Sequence, residues 1–98
     1  MPLVELELLD IDGRVAVGLK VNLGNAPLLI IKGSKGYMMC GYLNVDVAEK
    51  LGDIAVVVTG VKEFKDMLDG EVKYVTSKAR ELGIREGMKG IQALKKLL

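Results

Sequence analysis

The sequence predicts an α+β domain in which N-terminal antiparallel β-hairpins form a mixed sheet packed by three to four short helices. Three observations carry this. Two alternating apolar segments flank an Asp-Gly turn at the start of the chain. Strand-like runs come first, a strand between helical stretches follows, and helical spacing closes the chain. That order differs from the regular strand–helix alternation of an α/β domain.

The elements follow in order. Val4, Leu6 and Leu8 alternate with Glu5 and Glu7, the pattern of a half-buried strand. Asp10-Ile11-Asp12-Gly13 has turn chemistry. A second strand returns with Val15, Val17, Leu19 and Val21 expected to face inward, and Arg14, Ala16, Gly18 and Lys20 on the other side. After a loop from Asn22 to Pro27, Leu28-Leu29-Ile30-Ile31 is apolar on both faces, which predicts cover on both, from helices or from another subunit. Gly33-Ser34-Lys35-Gly36 turns the chain into a partner strand, Tyr37-Met38-Met39-Cys40. Asn44 is an N-cap candidate for a short helix that Gly52 stops.

Ile54 to Val58 reads as a buried strand, and Gly60 leads to a helix with Val61, Phe64, Met67 and Leu68 on one face. Residues 71–82 allow a strand at their start, but Val72, Val75, Ala79 and Leu82 keep helical spacing, with Gly83 as a left-handed cap that Ile84 closes. Gly87-Met88-Lys89-Gly90 opens a last helix with Ile91, Leu94 and Leu98 on one side.

Composition narrows the function. Ninety-eight residues fit one domain, spanning 1–98. A chain of that size buries roughly 65 % of its unfolded surface. Half of the residues are apolar but only four are aromatic, so aliphatic packing carries the core and homo-oligomerisation is expected to bury the excess. No apolar run spans a membrane, no leader pattern opens the chain and the single cysteine cannot form an internal disulfide; the expected location is the cytoplasm. Histidine is absent. That removes the Ser-His and Cys-His nucleophile pairs and the commonest transition-metal ligand, so no metal and no cofactor are expected.

A net charge of +1 with four aromatics argues against nucleic-acid binding. Residues 1–70 carry seven basic and ten acidic side chains, and residues 71–98 seven and three, so the chain ends in a basic part able to attract an anion or an acidic surface. One Gln, one Cys and no His among many Lys and Glu predict a thermophilic source.

The candidate site is Gly36-Tyr37-Met38-Met39-Cys40-Gly41. Cys40 closes a strand just before a helix start, where backbone N–H groups favour anions and lower a thiol's pKa. Lys35, Gly36, Tyr37, Gly41 and Asn44 are candidate binding positions, and in an enzyme Lys35 or Tyr37 would move protons. Two readings follow. The first is a homo-oligomeric module that binds a small anionic ligand or a protein partner at this motif, with Cys40 as packing. The second is a cysteine-dependent enzyme in which Cys40 is the nucleophile and backbone N–H groups near Gly41 form an oxyanion site.

The segment Gly36-Tyr37-Met38-Met39-Cys40-Gly41-Tyr42-Leu43-Asn44-Val45 resembles the signature of the YunC-like proteins, a bacterial and archaeal domain family of unknown function. Val57-Val58-Thr59-Gly60-Val61, Ala79-Arg80-Glu81-Leu82-Gly83-Ile84, Gly87-Met88-Lys89-Gly90 and Ala93-Leu94 are similar as well. The resemblance implies a stand-alone domain with Cys40 in its signature and supplies no reaction. Asn44 stands where many relatives carry Asp, which speaks against an acid role there.

Overall fold

The computed structural model describes residues 2–98. Its strands are β1 (Val4–Ile11), β2 (Arg14–Asn22), β3 (Pro27–Lys32), β4 (Tyr37–Met39), β5 (Ala55–Val57) and β6 (Tyr74–Val75). The helices are α1 (Val45–Leu51), α2 (Phe64–Asp69), α3 (Ser77–Glu81) and α4 (Gly90–Leu97). One six-stranded sheet runs in the order β1-β2-β3-β4-β5-β6. All neighbours are antiparallel except β4 and β5, which are parallel and joined by α1. The sheet is therefore mixed and the fold α+β, as the sequence predicts.

The first hairpin forms because its turn suits it. Asp12 and Gly13 both take positive φ, 54° and 86°, the backbone that a tight two-residue connection requires. Asp10 Oδ1 accepts a hydrogen bond from the Gly13 N–H at 2.8 Å and fixes the corner.

Pairing register assigns the two faces. Leu29, Ile31, Met38 and Val56 lie on one face, fully buried with Met67, Leu94 and Leu97 of α2 and α4. On the other, Met39, Ala55 and Val57 pack against Ala48 of α1. β4 and β5 are thus covered on both sides, whereas β3 is fully covered on one only: Leu28 and Ile30 stay half-buried and α1 does not reach them, so the two-sided cover expected for Leu28–Ile31 is incomplete.

The β1–β2 hairpin departs from expectation. Ala16, not its valine neighbours, is fully buried, and Val15 and Val17 are 56 % and 40 % exposed. Gly18 shares the Ala16 side, where a Cβ would stand 2.8 Å from the Phe64 ring. The small-residue row is therefore the one that receives α2. The apolar row faces out: Leu6 is 72 % and Leu8 73 % exposed. Alternation separates two faces without saying which one the helices cover.

Residues 71–82 correct a second expectation. They form no continuous helix: Tyr74–Val75 pairs with β5, and Thr76 then caps α3. The Thr76 side chain accepts from the Ala79 N–H, and this cap restarts the chain as a helix only from Ser77. The other helix limits follow local chemistry. Asn44 Oδ1 accepts from the Asp46 N–H at 2.8 Å and Gly52 closes α1 at φ 76°. Val61 is buried in the loop before α2 rather than on it, and α4 buries Gly90, Ala93, Leu94 and Leu97. Among the described residues no helix is long and apolar enough to cross a membrane.

Candidate functional site

Among the described residues, the β4–α1–β5 crossover builds the only place where two strands run parallel, so their carboxyl ends open side by side. Loops leaving such ends border ligand crevices in open sheets that contain parallel strands. Here they are Cys40–Asn44 after β4 and Val58–Glu63 after β5.

Cys40 lies at that end but not as an open nucleophile. It is 3 % exposed, joins the core cluster of α2 and α4, and its Sγ accepts a hydrogen bond from the Leu29 N–H at 3.3 Å. Tyr37 packs with the opposite cluster, against α1, and its hydroxyl donates to Asp53 Oδ2 at 2.6 Å. The sheet therefore separates Tyr37 from Cys40. Lys35 and Gly36 precede the start of β4, where the Lys35 N–H donates to the Leu97 carbonyl and Gly36 packs on the Ile54 backbone. Five residues of extended chain put Lys35 roughly 15 Å from Cys40. Of the sequence-predicted site residues, the structure brings together Cys40, Gly41 and Asn44 and leaves Lys35, Gly36 and Tyr37 at the far end of the strand.

Two adjoining cavities occupy the carboxyl end. One of about 250 Å³ is lined by Ala26, Pro27, Cys40 and Val61, among others. The second, of about 490 Å³, is bordered by Asn44, Val57, Thr59 and Tyr74. Gly41 and Tyr42 line both, and the Tyr42 hydroxyl donates to the Ala26 carbonyl at 3.3 Å. No Lys or Arg lines either cavity. Sequence reasoning misses Thr59 and Tyr74. Thr59 follows β5 and becomes visible once β4 and β5 are known to be parallel; Tyr74 is masked by the helical spacing of its neighbours. Among the described residues, no group of three His, Cys, Asp or Glu side chains is placed to hold a metal ion.

Burial first, then the Asp53 hydrogen bond and charge, push the Tyr37 phenol from 10.0 up to about 12. Below pH 10 both folded and unfolded chains hold that proton. Between pH 10 and about 12 the unfolded chain releases it while the folded one keeps it, so stability is lost as pH rises through that window. Tyr37→Phe is expected to flatten this alkaline loss, read as the difference between wild-type and variant urea midpoints across the window. Parallel curves for the two proteins would refute the assignment.

A family model described as a domain of unknown function, DUF1805, matches residues 39–97, which run from the last residue of β4 through β5, β6 and helices α1 to α4 but leave out β1, β2 and β3. The chain is 33 % identical over 100 aligned residues to an uncharacterised protein, YunC, of Bacillus subtilis strain 168, covering 98 % of this chain and 99 % of that one. It is also similar to the crystal structure of a protein of unknown function, TA1206, from Thermoplasma acidophilum. That match has 46 % identity and a TM-score of 0.93, covering 97 % of this chain and 93 % of that one.

Proposed function

The chain belongs to the DUF1805 family of unknown function, and we propose that it acts as a homo-oligomeric binding module, self-associating through its hairpin and binding a ligand at the carboxyl end of β4. The observation that carries the reading is the uncovered apolar face of β1–β2. Val4 pairs with Val21, Leu6 with Leu19 and Leu8 with Val17, so the row is contiguous. Val4, Leu6, Leu8, Val15 and Val17 are each at least 40 % exposed. On the same side of the sheet α1 covers only β4 and β5.

Magnitudes support association. Completing the burial of each side chain contributes on the order of 1–2 kcal/mol. A two-fold pair uses both copies of the patch and so gains roughly 10–20 kcal/mol, against association costs of about 4–15 kcal/mol. A gain of that size offsets the cost, which supports self-association through this face.

The test is the mass in solution. Wild-type protein is expected to sediment as an oligomer at micromolar concentration. Leu6→Asp combined with Leu8→Asp should give a monomer with unchanged helical circular dichroism, since both side chains point away from the core. A monomeric wild type, or a variant of unchanged mass, would overturn the reading. The uncharged lining of the cavities offers an anionic ligand no cationic partner, leaving backbone N–H groups and the neutral donors of Asn44, Thr59 and Tyr74 to hold one. A cysteine-dependent enzyme has less support still, because the Cys40 thiol is packed and shares no face with Tyr37.

A further inference from the structure

Eleven of the twelve glycines have a structural reason. Gly13, Gly24, Gly52, Gly60, Gly83 and Gly87 take positive φ. At Gly18, Gly33, Gly36, Gly70 and Gly90 a Cβ would come closer than 3.0 Å to a neighbouring atom. Gly41 is the exception. Its φ lies outside the left-handed region, and a Cβ there would meet Thr59 Cγ2 at 3.4 Å, an ordinary van der Waals distance. Glycine costs folding entropy that alanine would save. The fold gives no reason for glycine at this position, yet this is a residue that lines both cavities.

The lining gives the chemistry of what fills that space. Tyr42 and Tyr74 are 52 % and 50 % exposed, and both border the larger cavity. Leu43, Val45 and Val57 supply an apolar wall, and Thr59 a hydroxyl. The backbone N–H groups of Gly41, Tyr42, Thr59 and Gly60 have no acceptor among the described residues. Aromatic side chains, an apolar wall, free donors and no formal charge match one ligand class.

We propose that the cleft over Gly41 binds a small uncharged ligand with a planar aromatic or heteroaromatic ring, stacked on Tyr42 or Tyr74, whose edge acceptors meet these N–H groups. Gly41 keeps the floor clear for the ring. The inference deepens the reading of this domain as a binding module and rests on it.

Adenosine and caffeine serve as ring probes, inorganic phosphate as the anion, followed by backbone amide NMR on the full chain. Adenosine or caffeine is expected to shift the Gly41, Tyr42, Thr59 and Gly60 amides saturably, and phosphate is not. Gly41→Leu should weaken that binding by about tenfold or more while leaving the thermal midpoint unchanged or higher. Should Gly41→Leu fail to fold, the double variant Tyr42→Ala with Tyr74→Ala, both half-exposed, carries the same expected loss. No saturable shift with either ring probe, saturation by phosphate at the same amides, or wild-type affinity in a folded variant would overturn the proposal. Sedimentation of the same samples separates the two readings: an oligomer that binds no ring refutes only the ligand, and a monomer that binds one refutes only the self-association.

Discussion

Gly90→Ala is expected to destabilise the protein by about 4 kcal/mol or more. Gly90 opens α4 and is buried against α2, where an added Cβ would collide with the Met67 carbonyl and come within 3.2 Å of Leu68 Cα. These are backbone atoms of a packed helix, so no side-chain rotation relieves the clash. Relief requires α4 to lift off α2. That lift breaks the Gly90 N–H bond to the Gly70 carbonyl at 2.8 Å and strains the Glu71–Lys89 bridge beside it. It also opens the contact among Met67, Leu94 and Leu97. A loss of about 4 kcal/mol or more follows, a large share of the roughly 5–15 kcal/mol that stabilises a domain. Circular dichroism and a urea titration measure it. A midpoint equal to wild type would show that the helices do not meet at this backbone.

Thr76→Val is expected to cost about 3–5 kcal/mol despite nearly conserving shape, from the loss of a cap and the unpairing of buried groups. Thr76 is fully buried, and its hydroxyl serves three partners. It donates to the Asp53 carbonyl at 2.8 Å and accepts from the Ala55 N–H at 3.1 Å and the Ala79 N–H at 3.3 Å. One oxygen thus ties the start of β5 to the first turn of α3. Valine leaves all three backbone groups without a partner where water does not reach. Urea unfolding gives the total, and faster amide exchange at Ala55 and Ala79 identifies the source. A loss below about 1 kcal/mol would mean that other groups satisfy these atoms.

What the sequence reveals depends on how local the determining chemistry is. The Asp10–Gly13 corner and the Asn44–Gly52 limits of α1 are legible because a few adjacent residues set them. The orientation of β1–β2 is not. Alternating Leu and Val mark an apolar row, but a single distant ring, Phe64 over Gly18, decides that the opposite row receives the helices. The two-residue strand β6 is too short to leave a period of its own, and Val72, Val75 and Ala79 imitate a helix across it. The Thr76-Ser77 pair was the readable N-cap signal there.

The candidate site divides in the same way. Cys40, Gly41 and Asn44 emerge from one contiguous motif. Thr59 and Tyr74 join them only through the parallel pairing of β4 with β5 and the antiparallel pairing of β5 with β6. Lys35, a candidate proton carrier in the turn before β4, stays with that turn. The strand Tyr37–Met39 then carries the chain away from it, so Cys40 lies at the other end of β4.

The strand order also bears on how the sheet is assembled. Each strand pairs with its neighbour in the sequence, so the sheet grows outward as the chain advances and no strand has to enter between two already joined. Two connections are long, the α1 crossover over residues 40–54 and the α2 excursion over residues 58–73 between β5 and β6, while β1 to β4 are joined by short turns. The N-terminal strands therefore pair locally, the kind of contact that forms early in folding. The strand order also leaves β1 at an open edge, as the last strand on its side and the easiest to detach without disturbing the crossover that carries the cleft.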